Sequence, residues 1–226
     1  MASSASDLLS PLQRRVLDLF FASVRGFFLT GGAALGGFHL RHRRTRDLDL
    51  FTTDEGAFES AVRAFPDLCR SAGLTIEEKA ASPRFRRFVV SDGTETLPVD
   101  LVRDVEYQVA PEKPRRGAIV IDSLDDLFVN KICALLSRSE VRDLVDLLFL
   151  EREGFRLVRS LPDAQRKDAA ATAANLAFVL SGVVVREAPK DLERPVTRED
   201  LRAFVERTRA ELARLAFPGA TGKPPP

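Results

Sequence analysis

Apolar residues recur at helical spacing over Leu12, Val16, Leu19, Phe20 and Val24, which predicts an N-terminal helix ending near Gly26. Its start is written in Ser10-Pro11-Leu12-Gln13: a capping serine, a proline at the first helical position and a glutamine that completes a capping box. Phe27–Thr30 reads as a short buried strand, Gly31-Gly32 as a turn, and Ala33-Ala34-Leu35 as the start of a short helix. Asp47–Phe51 alternates polar and apolar residues and predicts a second strand. Thr52-Thr53-Asp54-Glu55 offers a further capping box for a helix to about Gly73, which Pro66 should kink or split.

Strands are predicted at Leu74–Glu78, Phe85–Val90 and Thr96–Val102, the last two joined by a hairpin turn at Ser91-Asp92-Gly93-Thr94. Val105–Val109 and Ala118–Ile121 are shorter strand candidates, and Pro111–Gly117 reads as a loop. From Ser123 onward the pattern is helical, over Leu124–Ser137, Val141–Glu151, Ala164–Leu180 and Arg198–Ala216. Pro218–Pro226 reads as a disordered tail. The expected fold is therefore α+β: a mixed sheet flanked by helices over residues 10–122, then a helical bundle over 123–217.

Length and composition narrow the function classes. The chain has 226 residues, 45 % of them apolar and 30 % charged, which suits a globular protein with its own core. The net charge of +1 gives no global attraction to nucleic acid, so local clusters must carry any such argument. The basic clusters are Arg41-His42-Arg43-Arg44 with Arg46, then Arg84, Arg86 and Arg87, then Lys113, Arg115 and Arg116. One tyrosine and no tryptophan give little basis for stacking on single strands. Cys69 and Cys133 sit among apolar residues and read as buried free thiols. No signal peptide and no membrane span is evident, so a cytoplasmic protein is expected.

The chemistry is concentrated around Asp47-Leu48-Asp49. Residues two apart on a strand share a face, so the two carboxylates stand side by side while Leu48 and Leu50 turn inward. Such a pair repels itself unless a cation intervenes, and magnesium favours one or two carboxylates together with substrate phosphates. Gly31 and Gly32 leave backbone N–H groups open to phosphate at a helix start. Asp100, in the alternating run Leu97–Val102, would complete a three-carboxylate cluster if its strand lies beside that of Asp49, either as a base for an incoming hydroxyl or as a further metal ligand. Taken singly, each feature is also what an ordinary turn or a solvated strand carries.

The order Gly31-Gly32-Ala33-Ala34-Leu35, then Arg43-Arg44-Thr45-Arg46-Asp47-Leu48-Asp49-Leu50-Phe51, resembles the nucleotidyltransferase toxins of the AbiEii/AbiGii type, within the DNA polymerase β-like nucleotidyltransferase superfamily. Asn130-Lys131-Ile132-Cys133-Ala134-Leu135-Leu136-Ser137-Arg138, followed by Val141-Arg142-Asp143-Leu144-Val145-Asp146-Leu147, is similar to that family's helical signature. The departure is Gly32, where many superfamily members carry serine.

The resemblance implies a metal-dependent nucleotidyltransferase. Asp47, Asp49 and Asp100 would hold Mg2+ or Mn2+, and Gly31, Gly32, Arg44, Thr45 and Lys131 would bind the nucleoside triphosphate. Asp143 and Asp146 would orient Lys131 or a neighbouring arginine. From the residues alone, Lys131 can equally lie along apolar surface with its charge in water, and Asp143 and Asp146 can form helix-surface ion pairs with Arg138 or Arg142. The implied acceptor is the 3′ end of transfer RNA or a protein hydroxyl, and the implied partner is a cognate antitoxin. The rival readings are an enzyme that modifies small molecules such as antibiotics, and a non-catalytic nucleotide-binding module.

Overall fold

The computed structural model describes residues 8–138, 140–189 and 192–219. The chain divides into two compact units, one ending at Leu127 and the other beginning at Phe128.

The first unit opens with α1 (Pro11–Ser23), capped as the sequence predicts: Ser10 Oγ accepts from the Gln13 N–H while Gln13 Oε1 accepts from the Ser10 N–H. Strand β1 (Phe28–Thr30) runs straight into α2 (Gly31–Ala34), and a π-helical turn follows over Leu35–His39. Gly31-Gly32 is thus the first turn of a helix and not a separate turn. Gly31 can take this place because its φ of 65° lies in the left-handed region open to glycine.

Then come β2 (Leu48–Thr52), α3 (Glu55–Ser71), β3 (Thr75–Ser82), β4 (Phe85–Ser91) and β5 (Thr96–Arg103). Asp54, not Thr52, caps α3 by accepting from the Ala57 N–H, and the helix continues unsplit through Pro66. The five strands form one sheet in the order β1-β2-β5-β4-β3, with β2 and β5 parallel and the other pairs antiparallel. Its inner face is made by Leu48, Leu50, Phe88, Val90, Leu97, Val99 and Leu101, all at most 2 % exposed. Together with Phe20 and Phe65 they anchor the sheet on one side, which leaves the alternate residues of the same strands for chemistry.

Two expectations fail within this unit. Val105–Val109 forms no strand, because the N–H groups of Val109 and Ala110 go to the carboxylate of Asp126 and not to a ladder. The expected loop 111–117 contains β6 (Arg115–Arg116), which pairs with β7 (Ile119–Val120).

Helix α4 (Leu124–Ser137) starts at Ser123, whose Oγ accepts from the Asp126 N–H. The second unit continues with α5 (Val141–Arg152), α6 (Leu157–Lys167), α7 (Ala173–Ser181) and α8 (Arg198–Ala216). The single helix expected over Ala164–Leu180 is instead the end of α6 and the whole of α7. Asp168 Oδ1 accepts from the Ala170 N–H and Thr172 Oγ1 from the Asn175 N–H, so short polar side chains capture the backbone donors that a continuous helix would use. Residues 220–226, most of the expected disordered tail, lie outside the described residues. Among the described residues no helix is long and apolar enough to cross a membrane. Cys69 is a buried free thiol, pushed up to about 11 by burial, whereas Cys133 is only half-buried.

Candidate active site

The parallel register of β2 on β5 sets Asp49 directly opposite Asp100. Neighbours in register share a face of the sheet, so the two carboxylates occupy the same space. Thr30 faces Asp49 from the other side, across the antiparallel β1 pairing. Asp47 lies one residue before β2 and accepts from Thr45 Oγ1 at 2.5 Å. The loop holding both is fixed by Gln13, whose Nε2 donates to the carbonyls of Thr45 and Asp47. One buried side chain therefore completes a helix cap and ties down the acidic loop.

The glycines fit tightly around this cluster. A Cβ on Gly31 would stand 1.9 Å from Asp49 Oδ2, and one on Gly32 would stand 2.9 Å from Thr45 Oγ1 and 3.0 Å from Arg43 Nη2. Gly36, in the π-helical turn, passes so close to the Arg43 carbonyl that a Cβ would lie 2.3 Å from its oxygen. The guanidinium beside the glycine pair is therefore that of Arg43, which is 5 % exposed, while Arg44 is exposed. A run of arginines before the acidic strand does not by itself say which one folds inward.

Asp100 is held by an arginine that the sequence placed in a different cluster. Arg87 on β4 is opposite Asp100 in register and donates through Nε at 2.8 Å and Nη2 at 2.6 Å, a two-pronged contact. The hydrogen bond to Asp100 raises the Arg87 pKa further, and the charges of Asp49 and Asp47 add to it. The three carboxylates and Arg87 thus share one field. Each carboxylate oxygen keeps a second lone pair after accepting from Arg87, so Asp100 can still receive a proton.

Behind the glycines lies a buried polar cluster that sequence reasoning missed. Thr30 Oγ1 donates to Asp122 Oδ2 at 2.7 Å, and His39 Nε2 lies 2.9 Å from the Asp122 carbonyl. Asp122 therefore grips both ends of the segment formed by α2 and the π-helical turn. Lys113, a member of the third basic cluster along the sequence, is enclosed, its side chain 8 % exposed and bound to Asp122, Asp126 and Gln108. Burial pushes the Asp122 carboxyl up despite the lysine. Burial also works against the charged form of Asp126, but Lys113 and the N–H groups of Ala110 and Val109 outweigh it and hold that carboxyl below the usual range. No sequence motif marks this cluster, because its members span Thr30 to Asp126.

In the second unit, Lys131 is 5 % exposed and its Nζ lies 2.8 Å from Asp143 Oδ1 and 2.7 Å from Asp146 Oδ2. Arg138 adds Nε and Nη2 contacts to Asp143 at 2.9 and 3.0 Å. Burial raises the Asp143 carboxyl, yet Lys131 and Arg138 together bring it below its ordinary value. Asp143 and Asp146 are thus gathered on Lys131 inside the helical unit.

Among the described residues no group of three His, Cys, Asp or Glu side chains is disposed to hold a metal ion unaided. A smaller protein share fits the chemistry present: Asp49, whose carboxylate fills the space a Cβ on Gly31 would take, and Asp47 two residues before it are of the kind an ion takes when it binds one or two carboxylates and completes its shell with phosphate oxygens.

The five-stranded mixed sheet, the glycine-led helix and the facing acidic strands define a nucleotidyltransferase fold. Residues 20–220 match the family described as the nucleotidyl transferase AbiEii toxin of type IV toxin–antitoxin systems, and the chain belongs to that family. Among solved structures, JHP933 from Helicobacter pylori is similar at 19 % identity, over 92 % of this chain and 93 % of that one, with a TM-score of 0.53. The nucleotidyltransferase toxin MenT4 from Mycobacterium tuberculosis is similar at 16 % identity, over 89 % of this chain and 82 % of that one, with a TM-score of 0.50. At these identities the likeness is one of fold. A comparison with curated protein sequences gave no match.

Proposed function

We propose that this nucleotidyltransferase toxin moves a nucleoside monophosphate from a nucleoside triphosphate to a hydroxyl on RNA or protein, with the 3′ end of transfer RNA as the leading acceptor. The observation that carries the reading is the facing pair Asp49–Asp100 with Gly31 pressed against Asp49. The N–H groups at the start of α2 receive phosphate oxygens, aided by Arg43 and Thr45 beside Gly32 and by Arg44 from the exposed side of the same loop. Asp47 and Asp49 would hold Mg2+ or Mn2+, which when bound offsets the charge that develops on the transferred phosphoryl group. Asp100 accepts the proton of the attacking hydroxyl, and Arg87 keeps its carboxylate aimed along the sheet face. A cognate antitoxin would restrain this activity in the cytoplasm.

The test is to incubate the protein with each α-labelled triphosphate in turn, together with total cellular RNA and protein, and to follow the label. Label joined to RNA or protein by wild type and not by Asp49→Ala is the expected result. Label only in small molecules would favour the antibiotic-type rival, and no label with any triphosphate would favour a non-catalytic module.

A further inference from the structure

The open face of the sheet carries two parallel rows of side chains. The first runs Thr30, Asp49, Asp100, Arg87 across β1, β2, β5 and β4. The second, two residues later on β2 and β5 and two residues earlier on β1 and β4, runs Phe28, Phe51, Val102, Phe85. Residues two apart point the same way, so the second row lies beside the first at about 6.6 Å. A polar, acidic row is thus bordered by an apolar, aromatic one.

The two ends of the aromatic row differ. Phe28 is closed off at 7 % exposure, with the Lys113 ammonium 4.7 Å from its ring centre. Phe51, Val102 and Phe85 remain half-buried, unlike the inner-face residues of the same strands. The Arg87 guanidinium lies 5.6 Å from the Phe85 ring centre while it holds Asp100. This end presents an aromatic ring and a flat cation directly beside the carboxylate that would take the acceptor's proton. Flat π systems and guanidinium planes are the surfaces on which unstacked bases settle.

Direction follows from the chemistry and rests on the transfer reading above. An in-line displacement puts the attacking oxygen and the leaving group on opposite sides of phosphorus. Phosphates cradled at Gly31, on the β1 side, leave the Asp100 side for the acceptor. The acceptor's hydroxyl oxygen bonds to the α-phosphorus as the bond from that phosphorus to the α,β-bridging oxygen breaks. Pyrophosphate departs with the electron pair, and the hydroxyl proton passes to Asp100. We infer that Phe85, with Arg87 and Val102, forms a stacking subsite for the terminal base of an RNA acceptor. From composition, one tyrosine and no tryptophan give little basis for stacking; the proposed subsite rests on a single phenylalanine that register sets beside the acidic row.

Two arms test the subsite with the full chain. In the first, transfer of α-labelled nucleotide to graded total cellular RNA is compared for wild type, Phe85→Ala and Phe85→Trp. Phe85→Ala should raise the half-saturating RNA concentration roughly tenfold or more. It should leave the half-saturating triphosphate concentration within about twofold and the melting temperature unchanged, since the ring is half-buried. Phe85→Trp should restore RNA use. In the second, fluorescence anisotropy compares a labelled single-stranded RNA ending in adenosine with the same RNA ending in an abasic ribose. Wild type should favour the base-bearing end roughly tenfold, and Phe85→Ala should lose that preference. A shift in the triphosphate dependence instead would assign the ring to the nucleotide's own base and overturn the proposal. Label entering protein but not RNA, no change in either arm, or equal affinity of wild type for the two RNA ends would overturn it as well. Failure of wild type to transfer any label would count against the transferase reading, and the binding arm would still decide the subsite.

Discussion

Gly31 and Asp49 are in contact so close that a methyl group on the glycine would stand 1.9 Å from the Oδ2 of the aspartate. The glycine also has a φ of 65°, so both its backbone and its missing side chain are required. The first helical N–H groups and the first carboxylate of the site are brought together by this one contact.

Gly31→Ala should therefore cost more than backbone strain. Displacing Asp49 by about 1 Å can reduce turnover on the order of a hundredfold. Gly73, with a φ of 73° and open space within 4 Å of where a Cβ would stand, is the control for strain alone. Gly73→Ala should lower stability by about 1 kcal/mol and leave transfer intact. Equal activity of the two variants would confine Gly31 to a backbone role.

Asp49→Ala should abolish nucleotide transfer without loss of melting temperature. Asp49 is only half-buried and stands opposite Asp100 in register, so the repulsion relieved by its removal offsets the attraction to Arg87 that is lost. Retained turnover would argue against the site, and so would a large fall in melting temperature.

Lys131→Met should unfold the protein more easily, because Asp143 and Asp146 would be left buried without their ammonium. Removing one partner of such a cluster costs about 3–5 kcal/mol. Adding Asp146→Asn should recover part of that stability but no transfer activity if Lys131 also serves the triphosphate. Urea unfolding and transfer rates, both measured below the melting temperature of the variants, separate the two roles.

The Asp143 carboxyl sets a pH dependence. Its pKa in the folded protein is lower than in the unfolded chain, where an aspartate titrates at about 3.9. Its contribution to stability is therefore complete above that value and is lost as pH falls through the folded pKa. Urea midpoints of wild type should drop as pH is lowered below about 4, and Arg138→Gln should reduce the size of that drop. An identical acid profile for Arg138→Gln would remove the arginine from the account.

Thr30→Val tests the clamp behind the glycines. It deletes the hydroxyl that donates to Asp122 Oδ2 and leaves a buried carboxylate short of a partner, at a cost of about 1–3 kcal/mol. Because Thr30 adjoins Gly31, the half-saturating triphosphate concentration should rise as well. A stability loss with unchanged triphosphate dependence would make Asp122 a purely structural residue.

Much of this was legible in local pattern. The Ser10–Gln13 cap and the α+β order appear as read, as do α8 and the strand alternation at Leu48–Thr52 and Thr96–Arg103. The local readings that failed did so where distant or polar partners took the backbone: Asp126 drew the N–H groups of Val109 and Ala110 away from a strand, and Asp168 and Thr172 divided the expected helix.

The sequence by itself determined which residue types stand near one another along the chain: two carboxylates two residues apart, a glycine pair before a helix, and Lys131 twelve residues before Asp143. Hydrogen-bond caps and strand alternation act over a few residues, so they can be read without the fold. Only the tertiary structure decided that Asp100 faces Asp49 and that Arg87, not a nearer arginine, holds Asp100. The same holds for Arg43 lying inside while Arg44 stays out, for Lys113 being enclosed, and for Phe28, Phe51 and Phe85 forming a row. Those relationships depend on sheet order and register, which are set by burying one face of every strand at once and which no short stretch of sequence encodes.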